Sequence, residues 1–165
     1  MPLTSIDGQR LGDSVFDKTA ARNLVVNGAA MVAQRATTQA SVTSSGYYAV
    51  DRFKSSIGTL GTWTISQSTD SPDGFAFSYK ALCTTADASP AAGDFAAMSY
   101  HFEGQDLQFL NFGNSGAKAT TLSFYVKSNK SGNASVELQQ MDNSDKQVTF
   151  QYTINSANTW ERKII

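Results

Sequence analysis

The chain has 165 residues, of which 41% are hydrophobic and 16% are charged, and its formal net charge is -1. This length suffices for one well-buried domain, and the near-zero charge provides no field that would draw the chain towards nucleic acid or anionic lipid. Few charges among many Ser, Thr, Asn, Gln and Gly residues are typical of an extracellular or virion-surface β protein.

Targeting signals and cysteine content narrow the class further. No apolar run reaches the roughly 18–20 residues that a membrane span needs, and the first residues lack a secretory signal pattern. Cys83 is the only cysteine, so no intrachain disulfide can form, and we interpret it as a small buried apolar residue. We expect synthesis in a reducing bacterial cytoplasm, no membrane insertion and no nucleic-acid partner.

Residues 1–22 are polar and weakly patterned, unlike the rest of the chain. The scattered apolar residues Ile6, Leu11, Val15 and Phe16 are candidate anchors among them. We expect an extended N-terminal arm that docks through these residues on another subunit or another protein of a larger particle, with a frayed terminus as the alternative. One domain over residues 23–165 follows it.

Short apolar runs and alternation of apolar and polar residues predict strands in the first half of the domain. The predicted strands are residues 23–27, 29–35, 47–54, 62–67 and 75–82, with turns or loops at 37–46, 57–61, 68–74 and 84–94. For residues 29–35 a helical turn is the alternative. In the third of these strands Tyr48, Val50 and Arg52 share a face. An inward-facing arginine requires a carboxylate partner, and the adjacent Asp51 points to the opposite face.

The clearest alternation lies between residues 95 and 154, and we expect the domain to be organised around this stretch. The predicted strands here are residues 96–102, 122–127, 136–141 and 147–154, and a turn followed by a strand is predicted at 106–112. Polar turn-formers at 128–133 and 142–145 predict antiparallel hairpins. Residues 160–165 read as a further strand with an open apolar edge, which predicts a covering partner chain or a C-terminally truncated domain.

About nine or ten short strands at this spacing predict an all-β fold, an antiparallel β-sandwich of the jelly-roll type. Helix-period segments are nearly absent from the sequence. The predicted sheet arrangement indicates a fold and carries no chemistry by itself.

Few residues are suited to catalysis. His101 is the only histidine, and no Gly-x-Ser-x-Gly elbow occurs. No pair of carboxylates is singled out for glycosidase chemistry, and we expect no enzyme. Trp63, Tyr79 and Tyr125 are candidates for stacking on a sugar, with packing in the core or against a neighbouring subunit as the alternative.

Two pairs of loop carboxylates are alternative candidates for a structural calcium site, since hard cations prefer oxygen ligands. One pair is Asp70 and Asp73, and the other is Glu103 and Asp106. For Asp70 and Asp73 the alternative is that they bond to the backbone of their own turn. We expect no other cofactor.

The order of several short motifs resembles a module common in bacteriophage tail-fibre and appendage proteins. A strand ending in Asn-Gly leads to a Gln-Arg pair, a Ser/Thr-rich loop and a Tyr-x-x-Asp-Arg motif. The matching segments are residues 23–35, 47–53, 62–74, 84–93, 102–107, 121–129 and 158–163. The resemblance covers residues 23–165, and family members usually continue past the Trp-Glu-Arg motif.

The resemblance implies a carbohydrate-binding-type jelly roll, similar to galactose-binding domains, in the virion of a phage. It favours a non-enzymatic structural protein, a tail-fibre or appendage domain involved in attachment to the host surface and assembled as a homotrimer. The alternatives are a glycan-binding module for host surface polysaccharide and a head-attached fibre or decoration protein. A depolymerase would require a catalytic domain beyond residue 165.

Overall fold

The structure, a computed structural model, describes residues 23–142 and 146–165. Within those ranges the chain forms nine β-strands and one 3-10 helix, which spans Gly104–Leu110. The strands are β1 (Thr38–Val42), β2 (Phe53–Gly58), β3 (Thr62–Ser68), β4 (Ser78–Thr85), β5 (Phe95–Tyr100), β6 (Ser123–Val126), β7 (Gly132–Gln140), β8 (Lys146–Ile154) and β9 (Glu161–Ile164). None of the described residues belongs to a helix long and apolar enough to cross a membrane.

The strands pair antiparallel, and the prediction of an all-β fold is confirmed. One sheet has the order β1-β3-β4, and three two-stranded sheets join β2 to β5, β6 to β9 and β7 to β8. The described residues divide into two compact units. The first holds residues 23–69 and Ala76–Lys118, and the second holds Asp70–Phe75 and Ala119–Ile165.

Most of the buried apolar side chains of the first unit lie between residues 30 and 65. One cluster consists of Val42, Ala49, Ile57 and Ile65, and a second consists of Ala30, Val50 and Phe53. In β5, by contrast, Phe95 and Met98 are about half exposed. The prediction that the chain is organised around residues 95–154 is therefore wrong for this unit, because its buried apolar residues lie mostly outside that range and β5 is exposed from Phe95 to Met98.

The strands predicted at residues 23–27 and 29–35 are wrong, since no described residue of this segment lies in a strand. Asn27 adopts a left-handed conformation with φ 63°. Its side-chain amide donates to the carbonyls of Val32 and Asp51, both at 2.9 Å, and its side-chain oxygen accepts from the Val32 N–H. The Asn side chain thus supplies hydrogen bonds that a strand partner would otherwise make.

Residues 47–52 form bends and a turn rather than the first part of a strand. Ala49 and Val50 are both 1% exposed, and neighbours cannot both face the core from a regular strand. Arg52, at φ 74°, does meet a carboxylate, Glu103 at 3.3 Å, but the pair lies at the surface and the predicted inward orientation is wrong. The loop predicted at 37–46 contains β1, where a Ser/Thr-rich sequence pairs with β3.

Three further predictions in this unit need correction. β4 begins at Ser78, three residues later than predicted, and Cys83 within it is exposed instead of buried. The strand predicted within 106–112 is absent, because the 3-10 helix occupies most of that segment. The Asp106 N–H donates to the Glu103 carbonyl at 3.0 Å, a hydrogen bond between residues three apart that is typical of a 3-10 helix. A short apolar run does not distinguish such a helix from a strand.

The strands predicted in the second unit are confirmed, and one predicted hairpin is wrong. β7 and β8 pair over their full lengths, from Gly132 opposite Ile154 to Gln140 opposite Lys146. β6 pairs with β9, so residues 128–133 do not close a hairpin between β6 and β7. The N–H of Asn158 donates to the Ser128 carbonyl at 2.6 Å, which holds the chain after β6 to the approach of β9.

The apolar face of the β7–β8 hairpin is covered at one end only. Ile154 is buried, and the Tyr152 ring meets Phe124 of β6 edge-on at 5.2 Å between ring centres. At the other end Leu138 and Val148 are 45% and 48% exposed. An apolar cleft of about 290 Å³ lies there, lined by Thr120, Leu122, Val136, Leu138, Phe150 and Ile165.

Candidate ligand-binding surface

A tight turn in the second unit positions one acidic and one aromatic side chain. The Ser71 hydroxyl donates to the Phe75 carbonyl at 2.6 Å, and the Phe75 N–H donates to the Pro72 carbonyl at 3.1 Å. Gly74 takes φ 85°, a conformation that glycine adopts without strain. These bonds fix the geometry of the turn between Asp70 and Phe75.

One face of the β6–β9 sheet carries aromatic and cationic side chains. Tyr125 lies directly opposite Arg162, and directly opposed residues of an antiparallel pair share a face. The period of two places Lys127 beside Tyr125 and Trp160 beside Arg162 on this same side. We call these four residues, together with Asp70 and Phe75 from the turn, the aromatic face.

The turn and the sheet meet through two sets of contacts. Lys127 Nζ donates to both carboxylate oxygens of Asp70, at 2.9 and 2.7 Å, and Trp160 Nε1 donates to Asp70 Oδ1 at 3.1 Å. Phe75 meets Tyr125 edge-on, with 5.6 Å between ring centres. Tyr125 is 43% exposed and Phe75 is 40% exposed, so this aromatic pair remains accessible to a ligand.

The positive charge of Lys127 on the aromatic face is balanced within the second unit. The Lys127 ammonium lies 5.9 Å from the centre of the Trp160 ring, and its side chain is 25% exposed. Asp70 balances its charge, and an ammonium held over an aromatic face is attracted by the ring. The ion pair and the indole thus hold each other in position, which keeps the Trp160 ring in a defined orientation.

The opposite face of the same sheet is structural. Glu161 accepts from Lys163 Nζ at 2.6 Å and from the N–H groups of Asn155 and Ser156 at 2.9 and 2.8 Å. The hydrogen bond from Lys163, followed by that from the Ser156 N–H, lowers the pKa of the Glu161 carboxyl. Glu161 therefore anchors β9 to the turn that follows β8, and only the other face is open for binding.

The arrangement suits recognition of a polar ligand that has apolar ring faces. The rings of Tyr125, Phe75 and Trp160 supply apolar surface, and the Tyr125 hydroxyl adds a polar group to it. Asp70 and Lys127 supply charged hydrogen-bonding groups beside these rings. Sugars have this combination of an apolar C–H face and a rim of hydroxyl groups. His101 lies elsewhere, in the first unit, where its Nδ1 is 3.0 Å from the Tyr47 hydroxyl at the surface.

Of the three residues predicted to bind sugar, the structure places only Tyr125 on the aromatic face. Trp63 and Tyr79 belong to the first unit and pack against its core. Trp63 donates its indole N–H to the Leu60 carbonyl at 2.6 Å. The Tyr79 hydroxyl lies 2.7 Å from the Ser55 hydroxyl, and burial raises the pKa of Tyr79. The structure supports the core-packing alternative for these two residues.

The four carboxylates predicted to bind calcium fall in different units. Asp70 and Asp73 lie in the turn of the second unit, and Glu103 and Asp106 lie in the first. Asp70 bonds to Lys127 and Trp160, and Glu103 bonds to Arg52 and Gln105. Among residues 23–142 and 146–165, no three His, Cys, Asp or Glu side chains are grouped to hold a metal ion.

Sequence reasoning did not assign Phe75, Lys127 or Trp160 to a site. Alternation places Lys127 on the polar face of the strand predicted at 122–127, and Trp160 begins the strand predicted at 160–165. Their meeting depends on the pairing of β6 with β9, which alternation does not predict. The arm residues Ile6, Leu11, Val15 and Phe16 lie outside the described residues.

Comparison of the chain with protein-family models, with curated proteins and with solved structures gives no match. The resemblance to phage appendage modules therefore stays a prediction from the sequence motifs.

Proposed function

We propose that the chain is a non-enzymatic structural domain of a phage tail fibre or appendage, and that it contributes to host attachment by binding a surface glycan. The observation that carries this proposal is the aromatic face of the second unit. Its exposed Phe75–Tyr125 pair lies in the same surface as the Asp70–Lys127–Trp160 contacts. The all-β fold is compatible with this role, and the motif order favours a jelly roll.

The wider setting of the domain is part of the same proposal. Residues 1–22 would contact other virion proteins, and the domain would assemble as a homotrimer. A head-attached fibre or decoration protein is the alternative position for the same module. Sedimentation of the full chain tests the assembly: a species of three times the chain mass is expected, and a stable monomer would contradict the trimer.

Glycan binding is tested by applying the full chain to an array of bacterial surface polysaccharides and measuring the affinity of each positive by calorimetry. Tyr125→Ala removes an exposed ring without opening the core, and we expect a loss of about tenfold or more, since aromatic contacts dominate many binding sites. Trp160→Ala tests the second ring. Phe112→Ala is the matched control, because Phe112 is 55% exposed and belongs to the first unit.

Circular dichroism separates loss of binding from loss of folding in these variants. The proposal is supported if Tyr125→Ala and Trp160→Ala lose affinity while folded and Phe112→Ala keeps it. It is overturned if no glycan on the array binds, or if the Tyr125→Ala protein binds as the unmodified chain does.

A further inference from the structure

An arginine on the aromatic face has no acidic partner. Arg162 is exposed and lies opposite Tyr125 across the β6–β9 pair. No described carboxylate lies within 4 Å of its guanidinium, and it makes no hydrogen bond to another described residue. Its side chain therefore has no structural partner in the described part of the chain.

The other charges of the β6–β9 sheet are already compensated. On the same side Lys127 is 2.7 Å from Asp70, and on the opposite side Lys163 is 2.6 Å from Glu161. Among the described charged residues of this sheet, Arg162 is thus the one without a nearby opposite charge. A chain with a net charge of -1 gives no general excess of cations to explain it.

We infer that the aromatic face binds an acidic sugar, with the sugar ring against Tyr125 and its anionic group on the guanidinium of Arg162. This inference rests on the proposed function and adds the charge class of the glycan. A guanidinium presents a planar fork of donors that matches a carboxylate or a phosphate in two hydrogen bonds. An adjacent aromatic ring supplies the apolar surface for the sugar ring beside that group.

The position of Arg162 distinguishes this reading from that of an ordinary solvated cation. A cross-strand neighbour lies about 4.5–5.5 Å away between Cβ atoms, so the fork and the Tyr125 ring can contact one six-membered sugar at once. Exposed Lys130, in the segment after β6, is not part of this face and serves as the contrasting charge.

The test uses the full chain and three polymers: polygalacturonate, the same polymer with its carboxylates reduced to alcohols, and a teichoic acid whose repeating unit is a hexose phosphate. Wild-type protein is compared with Arg162→Gln, Arg162→Lys and the control Lys130→Gln. We expect about tenfold tighter binding to an acidic polymer than to the neutral one, because hydrogen bonds to charged groups are the stronger ones. Added salt should weaken that preference.

The variants give separable outcomes. Arg162→Gln should bind the acidic and the neutral polymers with about equal affinity, Arg162→Lys should keep part of the preference for the acidic polymer, and Lys130→Gln should keep all of it. Preference for polygalacturonate or for teichoic acid identifies the anionic group as carboxylate or phosphate. Equal wild-type affinity for acidic and neutral polymers, or an unchanged Arg162→Gln protein, overturns the inference and leaves the proposed function standing. Absence of binding to both acidic polymers also overturns it, and the glycan array then decides the proposed function separately.

Discussion

Lys127 donates to both carboxylate oxygens of Asp70, although 57 residues separate the two in the sequence. The bond joins the turn Asp70–Phe75 to the end of β6 within the second unit. Trp160 donates to the same carboxylate, so one acidic side chain orders two of the residues that form the aromatic face. Its removal should alter the geometry of the face more than the stability of the domain.

Asp70→Asn tests this arrangement. We expect the substitution to lower the free energy of unfolding by about 1 kcal/mol or less, because Asp70 is half exposed and exposed ion pairs contribute little to stability. The Trp160 emission should shift to longer wavelength as the indole loosens, measured in a Trp63→Phe background. Asp73→Asn is the control, with the same charge change in the same turn, and an identical emission shift in both variants would contradict the role given to Asp70.

The sequence predicts strands whose apolar–polar alternation can be recognised locally. It does not predict backbone conformations that depend on the hydrogen bonds of a single side chain. Residues 62–67 and 147–154 match β3 and β8 closely, since the period of two needs no tertiary information. The strand predicted at 136–141 overlaps β7, which begins four residues earlier, at Gly132. Residues 23–35 contain short apolar runs without that alternation, and the left-handed Asn27 and its three side-chain bonds turn the chain there. No hydrophobic pattern encodes that competition.

The aromatic face was only partly predictable for a related reason. The residue types of Tyr125 and Asp70 predict a sugar contact and a calcium ligand, respectively, and the sequence alone does not place the two together. Their proximity depends on the turn Asp70–Phe75 meeting a sheet built from β6 and β9, and alternation does not determine which strands pair. Trp63 was proposed from residue type alone, whereas its packing on the core depends on tertiary contacts.

The Ser55 and Tyr79 hydroxyls, which lie at the core of the first unit, should be energetically coupled. Ser55 is 2% exposed, and its hydroxyl lies 2.7 Å from the Tyr79 hydroxyl. Each single substitution, Tyr79→Phe or Ser55→Ala, leaves one polar group without its partner. We expect each to lower the free energy of unfolding by about 1–3 kcal/mol. The double variant should lose less than the sum of the two in urea unfolding. Strict additivity would show that the two hydroxyls are not coupled.

Alanine substitution at Gly61 and at Gly74 distinguishes the cost of backbone strain from that of a steric clash. Both have positive φ, 72° and 85°, so alanine at either position should cost about 1–2 kcal/mol in conformational energy. A Cβ at Gly61 would also lie 2.6 Å from the Thr85 carbonyl oxygen, whereas one at Gly74 meets nothing within 4 Å. We expect Gly61→Ala to lower the urea midpoint clearly more than Gly74→Ala. Equal midpoints would mean that the chain around Thr85 yields without cost.

Glu161 makes the second unit sensitive to acid. Its folded-state pKa is lowered, first by the hydrogen bond from Lys163 and then by the Ser156 N–H. A group with a depressed folded pKa contributes stability that is fully present above its unfolded pKa, about 4.3 for Glu. That contribution is lost as the pH falls through the folded pKa.

Unfolding in urea, followed by near-ultraviolet circular dichroism at pH values from about 6 down to 3, measures this loss. We expect Glu161→Gln to be less stable than the unmodified chain at neutral pH and to lose less stability on acidification. Glu137→Gln is the control, because this exposed β7 carboxylate makes no ion pair with another described residue. The pKa of Asp94 in the first unit is also lowered, chiefly by the hydrogen bond from the Thr59 hydroxyl. Asp94→Asn should therefore reduce the loss of stability in acid in the same direction, and it is measured alongside. If Glu161→Gln and the unmodified chain lose stability in parallel down to pH 3, the carboxylate does not anchor β9 as its hydrogen bonds indicate.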